Sequence, residues 1–468
     1  MARRLPLPDA LSRIDARYWA MIAFLALVAL AGGASRPDSL AQPFVRVIAL
    51  GYVALVVLMG WVEGRRVRRM GIVFAIIVAS ALALALHLVP LPPGTWTGLA
   101  GRDFYAQAAT VAGVEQPWRP LTLSPDRTWN ALFSLSIPFA AAVGLATLDR
   151  QAQARLIWPV FLIIFLSAVL GLAQISGGEA SPLRWYAVTN KTSAVGLFAN
   201  RNHAALFLAC FFPLLALIAM RRVQAKSAVQ VRLWLSAAVT LFMLMMVVLT
   251  GSRAGLILTV LAILVAIVVI APSVRQHLKT MRRKRKRLYL VGAALLIVVA
   301  LAGVVSLQQA VAVQRLRDFG LVDATRLIIW PISWDMTREF FPYGIGFGAF
   351  DPIYRRFEPF DTLSTSYINA VHNDYLQILL EGGVLGAILL TFALVCWAVQ
   401  TLRIWRTSRD VTYANLSRVG SAIVLLVILA SAVDYPARTP LIMTLLVIAA
   451  CWMQLSAHGR GALRKPAR

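Results

Sequence analysis

Charge is scarce in this 468-residue chain: Asp, Glu, Lys and Arg together make up 14% of it, where a soluble domain carries about 25%. That deficit excludes an ordinary soluble enzyme. Acids are scarcer still, 20 against 46 Lys and Arg, which gives a formal net charge of +26. Cysteine occurs three times and histidine five times. Cys210, Cys396 and Cys451 all lie in apolar runs without a CxxC partner or zinc-type His spacing. A disulfide framework and a zinc module are therefore excluded, and the thiols read as apolar packing. A strong basic excess can signal nucleic-acid binding. Such proteins keep their cations on a solvated face, however, and here 59% of residues are hydrophobic with a mean hydropathy of +0.73. The expected partner is a lipid bilayer, not nucleic acid.

What the sequence has in abundance is long apolar runs. A bilayer core needs about 20 such residues per helix. Runs fall at about 18–34, 43–62, 70–90, 129–148, 156–175, 203–220, 233–250, 255–271, 289–307, 375–400, 419–433 and 439–455. The fold class is thus an all-α polytopic membrane protein of about 12 transmembrane helices. The first run is short and resembles a signal peptide, but Tyr18 and Trp19 at its start fit an interfacial anchor of a retained helix. Numbering the connections alternately sorts the charge. One side, with both termini and the short loops, holds 30 Lys and Arg and five acids (Asp9, Asp15, Glu63, Asp149, Asp410); the other holds 16 and 15. The positive-inside rule makes the first side cytoplasmic. The +26 is therefore chiefly a statement of orientation.

Residues 1–307 carry nine spans with an external segment at about 91–128. Residues 308–372 form a large external loop, and 373–468 the last three spans and a cytoplasmic tail. The loop is too long for a connector, and its aromatics, such as Trp330, Trp334 and Phe340, give it material to fold. Short helices packed over the mouth of the bundle are expected there, interrupted or opened at Pro331. Two stretches invite over-reading. The run Arg282–Arg287 looks like a phosphate patch, but between two cytoplasmic span ends it serves orientation and anionic lipid contact. Gly344-Ile345-Gly346-Phe347-Gly348 follows no strand and lacks GxGxxG spacing, so it reads as a turn-rich surface loop and not a dinucleotide site.

The few external cations carry the chemical information. Arg253 sits in Thr250-Gly251-Ser252-Arg253-Ala254-Gly255, a minimal turn between two spans. Alone it reads as a snorkelling anchor, although the Gly and Ser beside it also admit an oxyanion. Arg201 and His203 open another span in Asn200-Arg201-Asn202-His203, a polar cluster costlier than an anchor requires. Arg326 lies in the large loop, and His372 closes it in His372-Asn373-Asp374-Tyr375. Arginine offers phosphate a bidentate fork, and histidine accepts protons near neutral pH. A lone histidine at a helix start is more often a cap or a hydrogen-bonded structural residue. No metal-ligand spacing is present.

The order of these motifs resembles the O-antigen ligase and O-antigen polymerase superfamily. The stretch from about Asp323 to Leu385 matches in Arg326-x-x-x-Trp330, in Pro342–Phe350, in His372-Asn373-Asp374-Tyr375-Leu376-Gln377 and in Glu381-Gly382-Gly383. Upstream, Phe198–His203 and Gly251-Ser252-Arg253 look alike as well. The resemblance implies a metal-independent, cofactor-free inner-membrane glycosyltransferase with a GT-C-like fold. Such an enzyme takes a glycan from undecaprenyl diphosphate on the periplasmic face. A ligase passes it to the lipid A core, a polymerase to another lipid-linked glycan. By resemblance Arg253 and Arg326 hold the donor diphosphate and His372 is the base. Arg201, His203, Lys191, Arg355 and Arg356 are candidates for the phosphate or glycan path. A transporter or flippase of lipid-linked sugars is the rival of another class, but the inverted repeats of such folds are not evident in the sequence.

Overall fold

In a lipid interior an apolar run leaves its backbone no partner but itself, so it closes into a helix. The computed structural model describes residues 15–36, 38–219, 226–280, 322–363, 367–406 and 413–456. Among these the longer helices are α1 (Ala16–Ala31), α2 (Ala41–Leu58), α3 (Gly71–His87), α4 (Pro125–Thr147), α5 (Arg150–Ser176) and α6 (Arg201–Ala219). They continue as α7 (Lys226–Thr250), α8 (Arg253–Thr280), α9 (Val322–Phe340), α10 (Asp374–Arg406), α11 (Ala414–Ser431) and α12 (Pro440–Gln454). Seven of them (α2, α4, α5, α6, α8, α10 and α11) are long and apolar enough to cross a membrane, and α1, α3, α12 and the end of α7 are shorter apolar helices. The chain is a nearly all-helical multi-pass membrane protein. Eleven of the expected spans coincide with these helices. The ninth, 289–307, lies outside the described residues, as does the Arg282–Arg287 run.

The centre of the bundle is α11, with 78% of its apolar stretch buried, and α6, with 72%; α2 and α10 bury 28% and leave the rest to lipid. Helix α11 packs on α12, α8 and α10, and so joins the α1–α4 group to the α5–α8 group. The first helix is part of this core: Phe24 stacks on Tyr52 at 4.7 Å. Without a hydrophobic drive between helices in lipid, close approach depends on small side chains. A Cβ at Gly255 of α8 would meet Ala205 of α6, so that glycine sets how closely those two helices begin.

Side-chain contacts define two faces. On one, Arg17 pairs with Glu63 at 3.2 Å, Arg66 donates to the Thr147 carbonyl, and the Trp452 indole donates to the Gln153 carbonyl at 2.9 Å. On the other, here the loop face, the 91–128 segment and residues 322–363 and 367–372 form a cap. Ile329, Met336, Phe340, Phe350 and Tyr354 share one buried cluster with Val371 and Leu380. Fully buried Arg102 fastens the two segments, donating to the carbonyls of Leu121 at 2.7 Å and Gly344 at 3.0 Å. It lies against Trp96 and Phe340, and burial pushes its pKa down to about 10, so it stays charged at neutral pH.

Two expectations about this cap need correction. Gly344–Gly348 is turn-rich but not at the surface, since Ile345 is fully buried. Its backbone bonds to protein instead of water: Leu123 N–H donates to Ile345 O at 2.8 Å and Gly346 N–H to Glu381 O at 2.9 Å. At Gly346, with φ +103, a Cβ would run into Thr122. Pro331 does not interrupt a helix either, for α9 continues through it. The lost N–H bond is offset by the face Ile329, Ser333, Met336 and Phe340, all fully buried. Inside α10, Gly383 (φ 53, ψ −138) turns the helix, and Val384 N–H donates to Pro342 O at 2.9 Å.

Candidate functional site

Four of the helices that begin on the loop face start close together, each where a small polar residue precedes an apolar run. Asn200 caps α6, accepting from Asn202 N–H at 2.8 Å. Ser252 caps α8, accepting from Gly255 N–H at 3.0 Å. Asn373 caps α10, accepting from the N–H groups of Tyr375 and Leu376 at 3.1 and 3.2 Å. Helix α12 opens on Thr439-Pro440, the proline where its missing N–H costs nothing. These polar caps are what the chain chemistry selects. They also aim four partial positive charges at one region.

Arg201 and Arg253 occupy the first positions of α6 and α8. A cation at a helix N-terminus is opposed by the macrodipole, whereas an anion there is favoured. Two arginines at neighbouring N-termini therefore build a field that favours an anion. Hydrogen bonds tie the two helix starts together: Ser252 Oγ donates to Asn202 Oδ1 at 2.8 Å, and Asn202 Nδ2 donates to Asp434 Oδ2 at 2.7 Å.

Asp434 is the hub. Its side chain is 4% exposed, and Oδ1 accepts from Tyr435 N–H at 3.0 Å and lies 3.1 Å from His372 Nδ1. His203 Nε2 stands 3.8 Å from the same oxygen, an electrostatic contact longer than a hydrogen bond. Burial alone would raise the Asp434 pKa, but the two imidazoles beside it hold the carboxyl well below the usual carboxylate range. An ionised carboxylate only accepts, so the proton between them sits on His372 Nδ1, and in the neutral imidazole Nε2 then carries the lone pair. The ring of His372 lies 5.0 Å from that of Tyr435 and the side chain is 27% exposed. Its φ of +56 is the left-handed conformation, an uncommon strain for a non-glycine residue that recurs at functional sites.

Arg326 stands one turn before Trp330 on α9, and the Trp330 indole donates to the Val371 carbonyl at 3.0 Å, beside His372. Exposed Lys191 follows Asn190, whose side chain accepts from the Arg201 N–H at 2.9 Å. Of the residues expected from sequence, His372 is linked through Asp434, Asn202 and Ser252 to the helix starts that carry Arg201 and Arg253; Arg326 lies on the helix whose Trp330 bonds the residue before His372, and Lys191 follows Asn190. His203 is 1% exposed and 2.9 Å from Thr439 Oγ1, a support of Asp434 and not an open contact. Arg355 pairs with Asp351 at 2.9 Å on another part of the loop face. Arg356 pairs with Glu339 at 3.3 Å and packs over Phe104, which makes it a strut of the cap.

Sequence reasoning missed Asp434, Tyr435 and Arg438. Arg438 lies 3.0 Å from Asp374 and 3.6 Å from Glu381. A signal was present: Asp434-Tyr435-Pro436-Ala437-Arg438 is a polar island between two apolar spans, with an acid on the acid-poor chain. Beside this network a cavity of about 520 Å³ runs down between α2, α3, α4, α10, α11 and α12, largely apolar in its depth.

The fold defines a multi-pass membrane protein whose loop face carries a histidine hydrogen-bonded to a buried aspartate, close to two helix starts that bear arginine. Residues 238–391, about a third of the chain, match the family model described as O-antigen ligase (Wzy_C). The resemblance to the O-antigen ligase and polymerase superfamily is thereby borne out, and the matched segment contains Arg253, Arg326 and His372 but not Asp434. The chain matches no curated protein.

Proposed function

We propose that this protein transfers a glycan from undecaprenyl diphosphate to an acceptor hydroxyl on the periplasmic side of the bacterial inner membrane, in the manner of an O-antigen ligase. The observation that carries this reading is the His372–Asp434 pair, set beside helix N-termini that carry arginine. The basic short loops then face the cytoplasm with both termini, and the loop face is periplasmic.

A sugar hydroxyl is a poor nucleophile, and His372 Nε2 accepts its proton as it attacks the anomeric carbon, a contribution of about 10²–10⁴ in rate. Asp434 keeps that nitrogen free and stabilises the imidazolium that forms. The bond from the anomeric carbon to the diphosphate oxygen breaks as the new one forms. Negative charge grows on the leaving diphosphate, and Arg253 and Arg326 receive it with the N-termini of α6 and α8, at a membrane edge where solvent screening is weak. Arg201 and Lys191 extend the cationic path. Direct attack of the acceptor hydroxyl on the anomeric carbon, from the side opposite the diphosphate, is a single displacement with inversion. A polymerase uses the same donor and the same chemistry and differs in its acceptor.

Purified chain, given undecaprenyl-diphosphate glycan and acceptor, is expected to lose transfer in Arg253→Ala, Arg326→Ala and His372→Ala while inserting normally. Arg253→Lys should stay impaired, because an ammonium lacks the fork; full activity would reduce Arg253 to an anchor. Deletion of the gene separates the two acceptors. Undecorated lipid A core with unattached polymer marks a ligase, and single repeat units mark a polymerase.

A further inference from the structure

We propose that the 520 Å³ cavity is a second lipid site, in which Arg46 and Asn130 clamp a phosphate and the apolar depth takes the lipid chain that anchors the acceptor. This rests on the function proposed above and assigns a separate place to its second substrate.

Arg46 belongs to α2, one of the helices long and apolar enough to span, where an ionisable residue is costly and points to function. Its Nη1 donates to Asn130 Oδ1 at 2.8 Å, but its buried Nε has no partner. Among the described residues Arg46 pairs with no acid, unlike the other two arginines of the lining: Arg127 meets Asp351 at 3.4 Å and Arg438 meets Asp374 at 3.0 Å. One unpaired guanidinium with an amide suits a phosphate on a lipid, and the fork geometry of arginine serves that group. Below it the walls are mostly apolar, with Gln400 and Gln454 among the lining. On α10 beyond the turn at Gly383 the lining runs from Leu390 to Gln400, about 15 Å at 1.5 Å per residue, half of the roughly 30 Å hydrocarbon core.

The diphosphate donor belongs elsewhere. None of Arg201, Arg253, Arg326 or His372 lines the cavity. Tyr435 does, and its ring is also the one beside His372. A lipid seated here would present its sugar across Tyr435 to the base, opposite the arginine rim.

The test is photolabelling, which needs no turnover. Full-length protein in phosphatidylcholine nanodiscs is exposed to phosphatidic acid carrying a diazirine in its acyl chain, and to the matching diacylglycerol. Phosphatidic acid should label lining residues of α10 and α12, and diacylglycerol at least tenfold less. Arg46→Gln should lower the phosphatidic acid signal about tenfold, and Ala393→Phe, which narrows the cavity without touching the clamp, should lower it too. Undecaprenyl-diphosphate glycan should leave the signal unchanged, and lipid A core should compete it away. Equal labelling by both lipids, indifference to Arg46→Gln, or displacement by the donor overturns the proposal. If labelling behaves as expected while the purified chain transfers no glycan, the proposed function fails and the lipid site stands.

Discussion

In the proposed mechanism His372 and Asp434 divide one task between a proton acceptor and the group that orients it. Neither residue alone is diagnostic: a histidine at a helix start is often a cap, and an aspartate between two spans reads as a solvated turn. The 3.1 Å contact changes both meanings. Asp434→Asn keeps the shape but can donate to Nδ1, which reverses the tautomer. Transfer is expected to fall at least a hundredfold in a product assay, with membrane insertion unchanged. Retained activity would leave Asp434 a purely structural group. The same carboxylate makes a pH prediction. Its folded pKa is depressed, so its contribution to stability is complete above the ordinary value of about 3.9 and is lost as pH falls through the lower folded value. Thermal unfolding in detergent should therefore weaken more steeply between pH 4 and pH 2 in the wild type than in Asp434→Asn. The sequence could not show this pair, because its members are 62 positions apart and the Asn202 contact spans 232.

At the scale of elements, legibility followed the physics of lipid. An apolar run must close its own hydrogen bonds, so periodicity and length located the helices. Connections obey no such compulsion. The buried path of Gly344–Gly348 depends on carbonyl and N–H groups supplied by Leu123, Leu380 and Glu381, which no local pattern announces. Helix α9 likewise runs through Pro331 because its far side is buried. The site inherits its geometry from how closely α6 and α8 start. Gly255→Val is expected to push them apart at Ala205, strain the Ser252–Asn202 bond and destabilise the protein by about 1–3 kcal/mol. A fall in transfer larger than the loss of folded protein, from paired melting and product assays, would place the effect in the site. Unchanged melting would show that the helices have room to spare.

For the whole molecule, charge and packing sort the chain the same way, although they are independent. The contacts of Arg17, Arg66 and Gln153 gather on the face rich in basic loops, and the networks of Asp434 and Arg102 gather on the other. A single cysteine at Lys191 should react with an impermeant maleimide added outside spheroplasts, and one at Arg68 only after permeabilisation. The reverse pattern would invert the orientation proposed here. The helix ends that meet around Arg201 and Arg253 are held in place by their own backbones and caps, so their field does not relax when a bond breaks. On the function proposed above, a pocket preset for the departing diphosphate would grip the spent carrier at least as firmly as the loaded one, and release of the emptied lipid would set the pace of turnover.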